Sequence, residues 1–204
     1  MTGREPAGPV SRWAVFDLNG TLLDPAGIGS DALDRAILAA MTLNHVGEYR
    51  LFPELLAAGG ATAGVPMPAY PEAAQALEVL DGAGFALAVL TNSPTAVAES
   101  GLRAAGLRDR FAHVVGTDQV GVFKPDARVY RHGLAAIGAE AGDATMVAAH
   151  WWDLRGARAM GMRVAWVGRG EGTLNPLLGE PDAQGADLLE TAMMLAGLTT
   201  EEAR

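Results

Sequence analysis

Residues 15 to 24 read VFDLNGTLLD, and the fold can be worked outward from them. The run 13–18 is apolar apart from Asp17, the pattern of a strand covered on both faces rather than one with a wet side. Four similar runs follow at 85–90, 111–115, 145–149 and 164–167. Between them, 71–81, 95–105, 127–137 and 154–160 carry helical patterns. Pro71 and Pro94 sit where first-turn prolines belong, and Gly106 and Gly161 sit near helix ends. Strands alternating with helices predict an α/β fold with a central parallel sheet between two helical layers.

The alternation breaks once, between Asp24 and Pro68. A helical pattern over 31–42, with Ser30 or Asp31 as its candidate cap, is followed by 49–58 and then by GGATAGVPMPAYP. This stretch leaves straight after the first strand and returns before the next helix. It predicts a small helical cap over 25–68, inserted into a core made of 1–24 and 69–204; a crossover helix with a long linker is the alternative.

Bulk properties narrow the chemistry. The chain has 204 residues, a length that suits one α/β domain with a small insertion. Its net charge of −9 speaks against nucleic acid or an anionic membrane as partner, since those need clustered Lys and Arg. The absence of Cys removes disulfides, thiolate metal sites and Cys nucleophiles together. The opening MTGREPAGPVSR lacks a basic start followed by an apolar core, and no apolar run is long enough to span a bilayer, so the expected location is the cytoplasm.

In doubly wound sheets, ligands bind beyond the carboxyl ends of the strands. Asp17 follows the first strand, Thr91-Asn92-Ser93 the second, and Asp153 the fourth; Lys124 lies in the loop after the third. These groups are therefore expected to converge on one pocket. A carboxylate at a strand end can act as a covalent nucleophile; it can equally cap the turn that follows it.

FDLNGTLLD, LTNS at 90–93, FKPDARVY at 123–130 and VAAHWWDLRGARAMGM at 147–162 resemble, in order, the four motifs of the haloacid dehalogenase superfamily. The resemblance spans nearly the whole core. It implies a three-layer Rossmann-like sandwich with a cap, and a hydrolase in which Asp17 attacks the substrate. Thr21 and Thr91, beside Asn19 and Asn92, would hold the nucleophile or substrate oxygens. Lys124 would offset negative charge, and Asp153 would orient or activate water.

Within that family, Mg²⁺-dependent phosphatases place a second Asp two residues after the nucleophile and usually offer two carboxylates in the fourth motif. Here Asn19 stands at the first of these positions, and Ala148 and Ala149 precede Asp153. Asp17 and Asp153 alone make a poor magnesium site, because the ion wants carboxylate oxygens. The metal-independent 2-haloacid dehalogenases resemble the chain better: Lys124 with Tyr130 six residues on, and Trp152 before Asp153, follow their pattern. Tyr130 is either a site hydroxyl or a core aromatic. His150 is either a hydrogen-bonding partner of water or substrate or a structural group. Trp151, Trp152 and Phe123 either wall an apolar pocket or pack the core. For the substrate carboxylate, Arg35 is the candidate cation and Arg50 the alternative, though either can be a solvated helix arginine. The cap is shorter than the dehalogenase type. The resulting expectation is an aspartyl-ester hydrolase acting without cofactor on a small anion such as a 2-haloacid. A Mg²⁺-dependent phosphatase acting on a phosphate ester and a degenerate binding member are the rivals. The oligomeric state is left open, a homodimer included.

Overall fold

The computed structural model describes residues 12–29, 31–169 and 172–201. Ser30 and the first eleven residues, on which one candidate helix cap and the expectation of no signal peptide rest, lie outside the described residues. Among the described residues six parallel strands form one sheet: β1 (Trp13–Phe16), β2 (Ala86–Thr91), β3 (His113–Gly116), β4 (Ala144–Ala148), β5 (Arg163–Val167) and β6 (Ala183–Gly185). Their order is β3-β2-β1-β4-β5-β6, with β1 paired to β2 on one side and β4 on the other. The order reverses between β1 and β4. At such a switch point the flanking loops diverge and leave a crevice at the carboxyl ends of the strands.

The continuous apolar runs split by alternation, as the period of two requires. Ala14, Phe16, Leu87, Val89, Val147, Ala165 and Val167 face one layer, built from α3 (Ala73–Gly82), α4 (Thr95–Ala104) and α7 (Leu188–Glu201). Val15, Ala88, Leu90, Met146, Val164 and Trp166 face the other, built from α5 (Ala127–Ile137) and α6 (Trp151–Ala159). The chain is thus a three-layer α/β sandwich, as its strand pattern predicts. Gly106 and Gly161 lie just past α4 and α6 with φ of 71° and 85°, a conformation that glycine adopts without a Cβ penalty.

Several expectations shift. β6 and α7 have no counterpart in the sequence reading, because Ala-Gln-Gly is too short and too polar to register as a strand. Helix α6 starts at Trp151, three residues earlier than its apolar pattern, so Asp153 lies inside its first turn and His150 takes the N-cap position. Asp31 precedes α1 (Ala32–Val46) in a left-handed conformation with φ of 59° and makes no capping bond. Among the described residues no helix is long and apolar enough to cross a membrane.

Residues between Asp24 and Pro68 leave and return at one point, where the Asp24 amide donates to the Pro68 carbonyl at 2.7 Å. Within that segment, α1 and α2 (Phe52–Ala58) bury Leu33, Ala36, Ile37, Phe52 and Leu55 around Phe123 of the core. The Tyr49 ring stacks on Phe123 with centroids 4.8 Å apart. Asn44 clamps the same residue by its backbone, donating to the Phe123 carbonyl at 2.7 Å and accepting from its amide at 2.9 Å. Full burial of a phenylalanine stabilises by about 1.5–3 kcal/mol, so Phe123 is a strong anchor for the segment.

Candidate active site

Asp17 is held at the sheet's carboxyl edge because its amide continues the β1–β4 ladder, donating to Val147 O at 3.0 Å. Asp17 is 7% exposed and lines a small void. Lys124 Nζ donates to Asp17 Oδ1 at 3.1 Å and to Asp153 Oδ2 at 2.7 Å, so the ammonium sits between the two carboxylates. The three candidate catalytic residues therefore come together.

Their surroundings explain how a lysine is kept fully buried. A buried ammonium is costly unless paired and hydrogen-bonded. Burial alone would lower the Lys124 pKa, but Asp153 and Asp17 outweigh it and raise the value above the ordinary lysine range. Burial likewise pushes Asp17 upward, yet the Lys124 charge and the His150 contact carry it well below the ordinary carboxylate range. Asp153 is raised, because its burial, with the repulsion of Asp17, exceeds what Lys124 gives back. Asp17 is thus the member of the pair that stays ionised most readily.

Thr21 Oγ1 donates to Asp17 Oδ2 at 3.0 Å and accepts from the Ala149 amide at 3.0 Å. It ties the carboxylate to the end of β4 and is itself fully buried, which leaves it no face for a substrate oxygen. Asn92 Oδ1 accepts from the Lys124 amide at 2.9 Å, setting the height of the lysine loop. Thr91 Oγ1 accepts from the Ser93 amide at 3.2 Å, and Asn19 Nδ2 donates to Ser93 Oγ at 3.3 Å. Asn19, Thr91 and Asn92 line the void at Asp17, together with Leu33, Ile37, Phe52, His150 and Trp152.

Two expectations about roles do not fit the geometry. Asp153 is 0% exposed, with Oδ2 on Lys124 and Oδ1 accepting from the Tyr130 hydroxyl at 2.7 Å. A carboxylate sealed in this way does not border the void at Asp17, where a water would have to sit. Tyr130 is also 0% exposed; its hydroxyl reaches back to Asp153 and not forward to the pocket. This arrangement depends on Gly156, where an added Cβ would lie 2.5 Å from the Tyr130 hydroxyl and 2.7 Å from Pro125 Cβ. Gly156→Ala is expected to destabilise the protein by about 1–3 kcal/mol, as overpacking of a buried contact does, read from the urea midpoint at constant slope.

Arg35 falls elsewhere. Its Nε donates to the Gly59 carbonyl at 2.6 Å, tying α1 to the end of α2, and its side chain is 57% exposed. Arg50 is exposed as well. Neither lines the void at Asp17 or the larger cleft beside it. That cleft, of about 910 Å³, runs between α1 and α6 and is walled by Ile37, Leu38, Met41, Trp151 and Trp152, with Asp34 and Arg155 at its polar positions. Trp151 and Trp152 therefore face a cavity, while Phe123 packs in the core. Asn44, the clamp on the residue preceding Lys124, escaped the sequence reading, since nothing local distinguishes it from a helix-end asparagine.

His150 stands between void and cleft and lines both. Its Nδ1 lies 3.5 Å from Asp17 Oδ2, its ring is 5.3 Å from that of Trp152, and it rests on Gly20, where a Cβ would come 2.8 Å from His150 Cε1.

Among the described residues no group of three or more His, Asp or Glu side chains is gathered to hold a metal ion. The pair a magnesium ion would need, Asp17 and Asp153, shares an ammonium, and the remaining oxygen of Asp153 is taken by Tyr130. Magnesium demands several oxygens in octahedral array and keeps part of its water shell, so this donor set does not fit it.

Comparison with known proteins places the chain. Its residues 54–161 match the family model for haloacid dehalogenase-like hydrolases, a span that contains Lys124 and Asp153 and stops short of Asp17. The chain is 40% identical over 124 residues to a phosphoserine phosphatase of Thermus thermophilus, covering 60% of this chain and 49% of that protein. It is 35% identical over 100 residues to an (S)-2-haloacid dehalogenase of Pseudomonas sp. strain YL, covering 49% of this chain and 43% of that protein. The chain thus spans about half the length of the curated relatives it matches. In fold it is similar to the L-2-haloacid dehalogenase of Xanthobacter autotrophicus, with a TM-score of 0.78, 23% identity, and coverage of 91% of this chain and 98% of that one. A match over more than half the sequence, on the sheet order and crevice described above, means that the chain belongs to the haloacid dehalogenase-like hydrolase family.

Proposed function

We propose that the protein hydrolyses a carbon–halogen bond in a small 2-haloacid, through an ester on Asp17 and without a metal ion. The observation that carries this reading is the Lys124 ammonium lodged between Asp17 and Asp153, at 3.1 and 2.7 Å. It supplies, within the protein, the positive charge that would otherwise come from a cation, in a water-poor site where such a charge acts strongly. An Asp17 oxygen attacks C2, the new C–O bond forms as the carbon–halogen bond breaks, and halide departs with the bonding pair. Halide is a good leaving group and needs no acid, which suits the presence of Asn19 in place of a second carboxylate. Water then cleaves the ester, releasing the 2-hydroxyacid and restoring Asp17. Asp153 and Tyr130 act behind Lys124 by holding its ammonium in place. The 25–68 segment serves as the cap, with Leu33, Ile37 and Phe52 as the apolar roof over Asp17.

Halide release from 2-chloropropionate in excess chelator is the direct test, and the rate is expected to be unchanged from that without chelator. A second reading, a phosphatase, is favoured by the 40% identity to the phosphoserine phosphatase. Metal-dependent hydrolysis of an aryl phosphate, abolished by the same chelator and with no halide release from any haloacid, would replace the first reading with the second.

A further inference from the structure

We infer that His150 is the general base that delivers water to the Asp17 ester, an assignment that rests on the Asp17 reading above. Ester hydrolysis needs a group that takes a proton from water near neutral pH while touching both the water and the acyl carbon's surroundings. Asp153 is placed behind Lys124 with a hydrogen bond on each oxygen and no exposure, and it does not line the void at Asp17, whereas His150 does. The void at Asp17 is about 10 Å³, room for about one water, and it is bordered by apolar side chains, amides, a threonine and His150. Of the residues lining the void, Asp17 is the ester-forming group and His150 carries the remaining acid–base side chain, an imidazole, the type suited to general-base work.

The geometry supports the same role. His150 Nδ1 lies 3.5 Å from Asp17 Oδ2, close enough for a water at the carboxyl carbon to sit within reach of the ring. The imidazole lies over the side-chain-free face of Gly20 and also borders the outer cleft, giving its proton a route to solvent. The charged groups around it are Asp17, Lys124 beyond that carboxylate, and Asp34 of α1 and Arg155 of α6 across the cleft. In the step itself, water loses a proton to the imidazole as its oxygen bonds to Cγ of the Asp17 ester. The tetrahedral intermediate collapses by breaking the bond from Cγ to the substrate oxygen, and that oxygen takes the proton from the imidazolium. Asp17 is left as the acid and ionises beside Lys124, so one proton is released per halide.

The test uses His150→Asn, which keeps an amide N–H for Asp17 but cannot accept a proton, and His150→Ala. Each is mixed with 2-chloropropionate and followed by halide release and by intact-protein mass. Both variants are expected to release about one equivalent of halide in a burst and to accumulate the Asp17 ester. Steady turnover should fall at least ~10²-fold, the usual scale for losing a general base. The low-pH limb of the wild-type kcat profile should vanish, and added imidazole should speed His150→Ala alone. Turnover by His150→Asn at the wild-type rate without any ester would overturn the assignment, because a positioning amide would then suffice. So would loss of the burst in both variants, which would put His150 in ester formation. If the wild type releases no halide and forms no adduct, the Asp17 reading itself fails and this inference falls with it.

Discussion

Asp17→Asn is expected to eliminate halide release, by at least ~10⁴-fold, while leaving the fold intact. The asparagine matches the aspartate in shape, and its carbonyl can still accept from Lys124, which keeps its ion pair with Asp153 at 2.7 Å. On the proposed reading, the lost property is the nucleophilic charge. An amide oxygen has too little basicity to displace halide, and removal of one member of a covalent catalytic unit costs about 10⁴–10⁶-fold in other hydrolases. Two measurements separate chemistry from folding: unfolding should remain a single cooperative transition, its midpoint lowered by loss of the Asp17 charge beside Lys124, and intact-protein mass should show no adduct with substrate. Residual turnover within a factor of ten of the wild type would remove Asp17 from the mechanism.

Lys124→Met has the second large effect, and here stability is what suffers. Methionine fills a similar volume but leaves Asp17 and Asp153 facing each other without a cation, both buried. Removing one partner of a buried ionic cluster typically costs ~3–5 kcal/mol, because the charge left behind is uncompensated. The pH dependence identifies the cause. In the wild type, Asp17 titrates below its unfolded value of 3.8, so its contribution is present above that pH and is lost only as pH falls beneath it. Lys124 titrates above its unfolded value of 10.5, so its contribution holds below that pH and is lost as pH rises through the folded value. The Asp17 and Lys124 contributions therefore hold together from about 4 to about 10, while Asp153, whose folded value is raised, favours the folded state only at the acidic end and loses that contribution as pH rises through its folded value. In the variant the mutual repulsion of two buried carboxylates raises their folded values, and the sign reverses: stability should climb as pH drops from 7 toward 4. Urea unfolding at both pH values reads this directly. An equal deficit at pH 7 and pH 4 would mean that the lysine acts through packing, not charge.

The sandwich was legible because its signals are local. A strand buried on both faces must be apolar throughout, and glycine past a helix end or a break in alternation can be seen without knowing what packs where. The site was legible in part for the same reason. Asp17 follows one strand and Thr91 ends another, and because their carboxyl ends share one edge of the sheet, parallel topology gathers them with Lys124 whatever the side chains do. Ala183–Gly185 and the helix after it were not legible: three residues on the sheet edge carry too little apolar pattern to stand out from a loop.

By itself, then, the sequence determined the fold class, the residues gathered at the sheet's switch point and the family. Only the tertiary structure decided which way those residues face. It turned Asp153 and Tyr130 to the rear of Lys124, drew Arg35 to the Gly59 carbonyl, and set His150 between the cleft and Asp17. The physical reason is that a residue's place along a strand or helix follows from backbone period. The direction of its side chain follows from neighbours far away in sequence, such as Gly156 making room for Tyr130 and Gly20 making room for His150.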